Sequence, residues 1–139
     1  MTYIPATLNL MNQTITTAVT AATTTAVTGC ARGKNLLLYC NFTYGSGGTS
    51  VDVYVQTSLD GEITWIDIAE FSHTTASLAR VYNLTSVTPV TTVYTVTDGS
   101  LTANTAKDGI IGASYRVKYT TVGTYAGLTT CQVYGVIKD

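Results

Sequence analysis

Val51-Asp-Val-Tyr-Val-Gln-Thr-Ser-Leu-Asp60-Gly61-Glu-Ile-Thr-Trp65-Ile-Asp-Ile-Ala-Glu-Phe71 is the stretch from which the fold is read. Val51, Val53 and Val55 alternate with Asp52, Tyr54 and Gln56, the period of two that gives a strand one apolar and one wet face. Asp60-Gly61 then supplies a residue that tolerates positive φ, which a chain reversal between twisted strands needs. Ile63 to Phe71 is apolar again, so the stretch predicts a β-hairpin pairing Val51 to Thr57 with Ile63 to Phe71 about an Asp60-Gly61 tip.

Strand patterns continue on both sides. Upstream, Leu36, Leu38, Cys40 and Phe42 share one face while Leu37 and Tyr39 make the other apolar too, the mark of a central strand. Downstream, strands are expected at Leu78 to Leu84, Val87 to Thr97, Tyr115 to Thr121 and Leu128 to Ile137. Thr, Val and Tyr dominate and favour the pleated surface over a helix. The expectation is an all-β, antiparallel β-sandwich of about eight strands, jelly-roll-like or Ig-like, forming one domain. Within it residues 35–139 are the sandwich core and residues 1–34 an extended N-terminal arm followed by edge strands. Met1 to Thr17 looks too poor in large apolar residues to contribute to a core, so its loss is expected to leave the sandwich folded.

The chain has 139 residues, 45 % of them apolar and only 11 % charged, with a formal net charge of −1. Typical soluble domains carry about 25 % charged residues. The scattered basic residues give no patch for phosphate backbones, so no nucleic-acid partner is expected. Small self-repulsion, by contrast, makes association with neutral surfaces inexpensive. No apolar run reaches the length of a membrane span, and Met-Thr-Tyr-Ile-Pro lacks the features of a cleaved signal, so the protein is expected to fold where it is made.

No residue is singled out as catalytic, cofactor-binding or metal-ligating, and the expectation is a protein that is not an enzyme and carries no cofactor. Cys30, Cys40 and Cys131 show no Cys-x-x-Cys spacing and no histidine close in sequence, and are read as free buried thiols. A Cys30–Cys40 or Cys40–Cys131 bridge stays open as the alternative. His73, the sole histidine, is read as a strand-end residue without catalytic duty. Asp52, Asp60, Glu62, Asp67 and Glu70 are expected to be solvated, with Asp60 serving the turn. Trp65 is assigned to the space between the sheets, the alternative being a sugar-stacking platform with Tyr39, Tyr44 and Tyr54. Asn12, Asn41 and Asn83 head Asn-x-Thr triplets that a Thr-rich chain produces by chance.

The hairpin Val51 to Ala69 resembles one found in small virion structural proteins of tailed bacteriophages and prophages. Gly112-Ala-Ser-Tyr-Arg-Val-Lys-Tyr-Thr-Thr-Val-Gly-Thr-Tyr-Ala-Gly127 is similar to the C-terminal half of the same proteins. The resemblance runs from Asn35 onward and implies a head decoration, or cement, protein. Such a protein is made in the cytoplasm of the host bacterium and sits on the capsid exterior as a homotrimer against the major capsid protein, and no catalytic residues carry over. A carbohydrate-binding module and a tail or neck component are the alternatives.

Overall fold

The computed structural model describes residues 7–139, in which every regular element is a strand. Residues 1–6, the start of the expected arm, lie outside the described residues. The strands are β1 (Thr7–Thr14), β2 (Val19–Thr23), β3 (Asn35–Thr43), β4 (Ser46–Gly47), β5 (Ser50–Ser58), β6 (Ile66–His73), β7 (Leu78–Thr85), β8 (Ser114–Val122), β9 (Tyr125–Ala126) and β10 (Thr130–Lys138). They form two four-stranded antiparallel sheets, ordered β1-β10-β3-β7 (sheet I) and β2-β8-β5-β6 (sheet II), with β4-β9 a minor pair.

Setting the minor pair aside, the first long strand pairs with the last (β1 with β10), the second with the next to last (β2 with β8), then β3 with β7 and β5 with β6. The chain is thus a doubled ribbon whose tip is the Asp60-Gly61 turn, rolled so that alternate segments fall in opposite sheets. That pairing is the jelly-roll arrangement, and it decides between the two sandwich types the sequence allows.

Side-chain alternation sets the core. Leu36, Leu38, Cys40 and Phe42 of β3 and Cys131 and Val133 of β10 face Val51, Val53 and Val55 of β5, Phe71 of β6, and Tyr115 and Val117 of β8. The N-terminal strand departs from expectation. β1 and β2 are edge strands, but a bulge between Asn9 and Met11 turns both Leu10 and Met11 inward, and Leu8 and Ile15 are buried beside them. Far from being dispensable to the core, the stretch before Thr17 lays four large apolar side chains into it.

The hairpin is longer-looped than the dipeptide suggests, with β6 starting at Ile66 instead of Ile63. Asp60 Oδ1 accepts from Thr64 N (2.8 Å), Ser58 Oγ (3.0 Å) and Ile63 N (3.2 Å), while Ser58 Oγ accepts from Glu62 N (2.9 Å). These local bonds take the donors a ladder would use. The bond from Thr64 N, first among them, holds the Asp60 carboxyl below its usual range. Gly61 sits at φ +74° with open space around its missing Cβ.

Val87 to Thr97 is not a strand. Its valines recur every third residue, at 87, 90, 93 and 96, so no single face of a strand collects them, and all four are exposed. The segment belongs to a long connection between β7 and β8 that lies along β6: Asp67 N donates to Thr97 O, Glu70 N to Thr105 O, and Lys107 N to Ile68 O. Those bonds close the free edge of sheet II.

Two substitutions check this account by denaturant or thermal unfolding. Leu10→Ala is expected to cost about 2–5 kcal/mol, as for a buried leucine in a close-packed interior; a change within error would return β1 to the status of an arm. Gly61→Val is expected to cost about 1 kcal/mol or more from its positive φ alone, since no neighbour obstructs the added Cβ.

Candidate functional site

Three clusters of functional side chains emerge, on the outer face of sheet II, at one end of the interior, and on the outer face of sheet I. On the first, Arg116, Gln56 and Asp67 stand in one cross-strand row and Lys118, Tyr54 and Glu70 in the next. Asp67 and Glu70, expected in solvent, are buried, because the β7–β8 connection folds over them. The Asp67 carboxylate accepts from Gln56 Nε2 (2.9 Å), Thr97 Oγ1 (2.8 Å), Gly99 N (2.8 Å), Ser100 N (3.0 Å) and Leu101 N (3.2 Å). Burial pushes the Glu70 carboxyl up, against bonds from Ser72 Oγ and Asn104 N. Asp98 closes the far side on Lys118 Nζ at 2.7 Å. Each of these carboxylates has its partners, and together they hold the connection against sheet II.

Trp65 is buried but does not lie between the sheets. It packs under the guanidinium of Arg116, 4.4 Å from the ring centroid, beside an open cleft of about 500 Å³ that Glu62, Ile63, Val96 and Asp98 also line. Tyr39 leaves the outer face of sheet I, Tyr54 the opposite face of the sandwich, and Tyr44 packs edge-on against Tyr125. The stacking platform suggested by these four aromatics is therefore not assembled.

The interior cluster is one that sequence spacing did not bring together. Cys40 and Cys131 project inward from sheet I, and His73, the last residue of β6, projects inward from sheet II. Cys40 Sγ lies 3.3 Å from His73 Nε2 and 4.0 Å from Cys131 Sγ, and all three donor atoms fall within 4.8 Å of one another. Arg80 Nη2 approaches His73 Nδ1 at 3.2 Å. A guanidinium only donates, so Nδ1 accepts, the ring proton sits on Nε2, and it points at the Cys40 sulfur. Phe42 stacks on the imidazole at 4.5 Å. The bond from the Cys131 thiol, followed by that from His73 and the charge of Arg80, brings the Cys40 thiol down to about 6 in spite of burial. The same contact and burial push Cys131 well above the ordinary thiol range.

All three cysteines are free and buried, as the sequence suggested. Register explains why Cys40 and Cys131 are not bridged. Cys131 faces Phe42 and Cys40 faces Val133, so the two are diagonal neighbours. Diagonal pairs stand roughly 7–8 Å apart at Cα, beyond the roughly 6.8 Å a disulfide spans. Strand parity did carry a signal: Cys40 shares its face with Leu36, Leu38 and Phe42, and His73 shares one with Phe71. The parity lacked only the juxtaposition of the two sheets.

The third cluster is the outer face of sheet I. Its rows read Thr7, Val136, Leu37, Asn83, then Asn9, Tyr134, Tyr39, Val81, then Asn12, Gln132, Asn41, Ala79. No charged side chain stands in them, and all three Asn-x-Thr asparagines do. Among the described residues there is no helix, and hence none long and apolar enough to cross a membrane. Compared with protein-family models, with curated proteins and with solved structures, the chain matches none.

Asp67→Asn tests the first cluster. The new NH₂ would face backbone N–H donors, so roughly 2–3 kcal/mol of stability is expected to go. Amide exchange should accelerate through residues 86–113 before it does in β3 and β10; uniform protection across the chain would remove Asp67 from its holding role.

Proposed function

We propose that this protein is a non-enzymatic structural subunit of a tailed-phage particle, a head decoration protein that packs on copies of itself as a trimer and on the capsid exterior. The observation that carries the reading is the contrast between the two outer faces of the sandwich. Sheet II is covered by its own connection, whereas sheet I offers Leu37, Tyr39, Val81, Tyr134 and Val136 among uncharged Asn, Gln and Thr. Removing the three central rows from water costs no charge desolvation, Lys138 standing one row beyond them, and Tyr is suited to interfaces because its ring is apolar and its tip is polar.

Its dimensions bear on the kind of contact. Four strands about 4.8 Å apart and eight residues long at about 3.3 Å each give a footprint of roughly 500 Å². Standard interfaces bury about 800 Å² per partner, so one such contact is weak alone. Repetition across a lattice makes weak contacts strong in sum, which is the situation of a cement protein. The occupant favoured for this face is a second copy of the chain, since its three central rows carry no charge and bring no like-charge repulsion. Glycans on Asn12, Asn41 or Asn83 would obstruct it, so the reading also requires those asparagines to be unmodified.

The test is the double variant Tyr39→Asp with Val81→Asp, which puts charge at the centre of the face while leaving the core untouched. Sedimentation equilibrium is expected to show a trimer for the natural sequence and a monomer with unchanged circular dichroism for the variant, with attachment to undecorated heads reduced at least tenfold. A natural chain that stays monomeric and fails to attach would overturn the proposal.

A further inference from the structure

The Cys40, Cys131 and His73 cluster has a chemistry that the assembly reading leaves unused. It takes two soft sulfur donors from sheet I and one imidazole from sheet II at the end where the exposed turn at residues 74–77 carries the chain between the sheets. Among the described residues, these three are the only His, Cys, Asp and Glu side chains whose donor atoms converge in this way. We propose that Cys40 Sγ, Cys131 Sγ and His73 Nε2 form a three-coordinate site for a soft monovalent cation, Cu(I), which ties the two sheets together.

Ligand type, the number of protein ligands and charge each point to that class of ion. Thiolates and imidazole select Cu(I) and zinc over hard cations. With thiolate–metal bonds of about 2.3 Å, two sulfurs stand about 4.0 Å apart in a trigonal plane and about 3.8 Å apart in a tetrahedron. The observed separation of 4.0 Å suits either geometry, and the 3.3 Å between Cys40 Sγ and His73 Nε2 is a hydrogen-bond distance that ligation would lengthen. Zinc sites need a fourth ligand, protein or water, and among the described residues this buried cluster offers three protein ligands, with Phe42 stacked on the imidazole. Two thiolates with a monovalent ion sum to −1, which the guanidinium of Arg80 neutralises. Two thiolates with a divalent ion sum to zero, so the half-buried Arg80 charge favours the monovalent site over the divalent one.

Binding releases the thiol protons to solvent, and the imidazole proton moves from Nε2 to Nδ1 so that Nε2 can ligate. Nδ1–H and the Arg80 guanidinium are then both donors, so Nη2 has to withdraw from the ring, with Ser72 O and Asn104 Oδ1 still accepting from Arg80, and ion binding has to exceed that cost. Arg80 is in this account a positioning residue and the source of ion preference, not a ligand.

The experiment uses the full chain, reduced and without oxygen, titrated with Cu(I) in competition with a chromophoric Cu(I) chelator, and with Zn²⁺ in parallel. One Cu(I) per folded chain is expected, with sulfur-to-copper absorption in the near ultraviolet and a raised melting temperature. Cys131→Ala and His73→Gln should each weaken Cu(I) by about 100-fold or more, the scale of losses at metal sites, while Cys30→Ala leaves it unchanged. Arg80→Met should lower the ratio of Cu(I) to Zn²⁺ affinity by at least about tenfold through loss of one nearby charge, a readout that a merely structural arginine would not move. Melting of each metal-free variant establishes folding, and if Cys40→Ser does not fold, Cys131→Ala carries the test. Absence of stoichiometric Cu(I) binding by the folded natural chain, undiminished binding by Cys131→Ala, or a preference for Zn²⁺ would each overturn the proposal.

Discussion

The Asp67 carboxylate is the interaction on which the two-faced character of this molecule rests. It is buried on the outer side of sheet II and gathers the backbone N–H groups of Gly99, Ser100 and Leu101, the hydroxyl of Thr97 and the amide of Gln56. A buried carboxylate is tolerable only when its acceptor sites are filled, and those donors would be orphaned just as badly without it. Carboxylate and connection therefore hold each other. From that mutual need follow the closed edge of β6, the burial of Glu70, and the sheltering of Arg116 and Lys118 against Asp98. The β6 side of sheet II is thereby covered, whereas the outer face of sheet I carries no such connection.

The rolled ribbon accounts for the rest of the geometry. Because β5 and β6 form its tip and lie in sheet II, the chain must cross to sheet I immediately after His73, and the crossing brings that side chain over Phe42 and Cys40. Tyr125 secures the crossing by donating its hydroxyl to Thr74 O at 2.7 Å while its ring meets Phe42 edge-on. A polar residue at the last position of β6 is thereby held in the interior with partners on both ring nitrogens, which a free strand end would have left in water.

What the sequence disclosed and what it withheld divide along physical lines. Alternation through Val51, Val53 and Val55 and through Leu36, Leu38 and Phe42 named the core faces, because burial on one side of a pleat leaves a period of two. The positive φ at Gly61 was legible from its dipeptide. Hidden were features set by contacts distant in sequence: the inward turn of both Leu10 and Met11 at a bulge, the burial of Asp67 and Glu70 beneath residues some thirty positions later, and the meeting of Cys40, His73 and Cys131 across two sheets. The mistaken strand at Val87 to Thr97 is of another kind. Its β-branched content outweighed a three-residue spacing of valines that was visible and argued against a pleat.

The pairing of the first strand with the last has a consequence for the life of the chain before it is folded. Neither Tyr134 nor Val136, at the centre of the uncharged face, exists until the final strand has been synthesised, and that strand lies between β1 and β3. A nascent or truncated chain therefore leaves sheet I split, with β1 unpaired, one edge of β3 open and no continuous surface between them. Closing contacts of such sequence separation is slow, and the waiting strands are hazardous at high concentration. The same delay means that only a chain in which β10 has been made and has paired on both sides displays the continuous neutral surface.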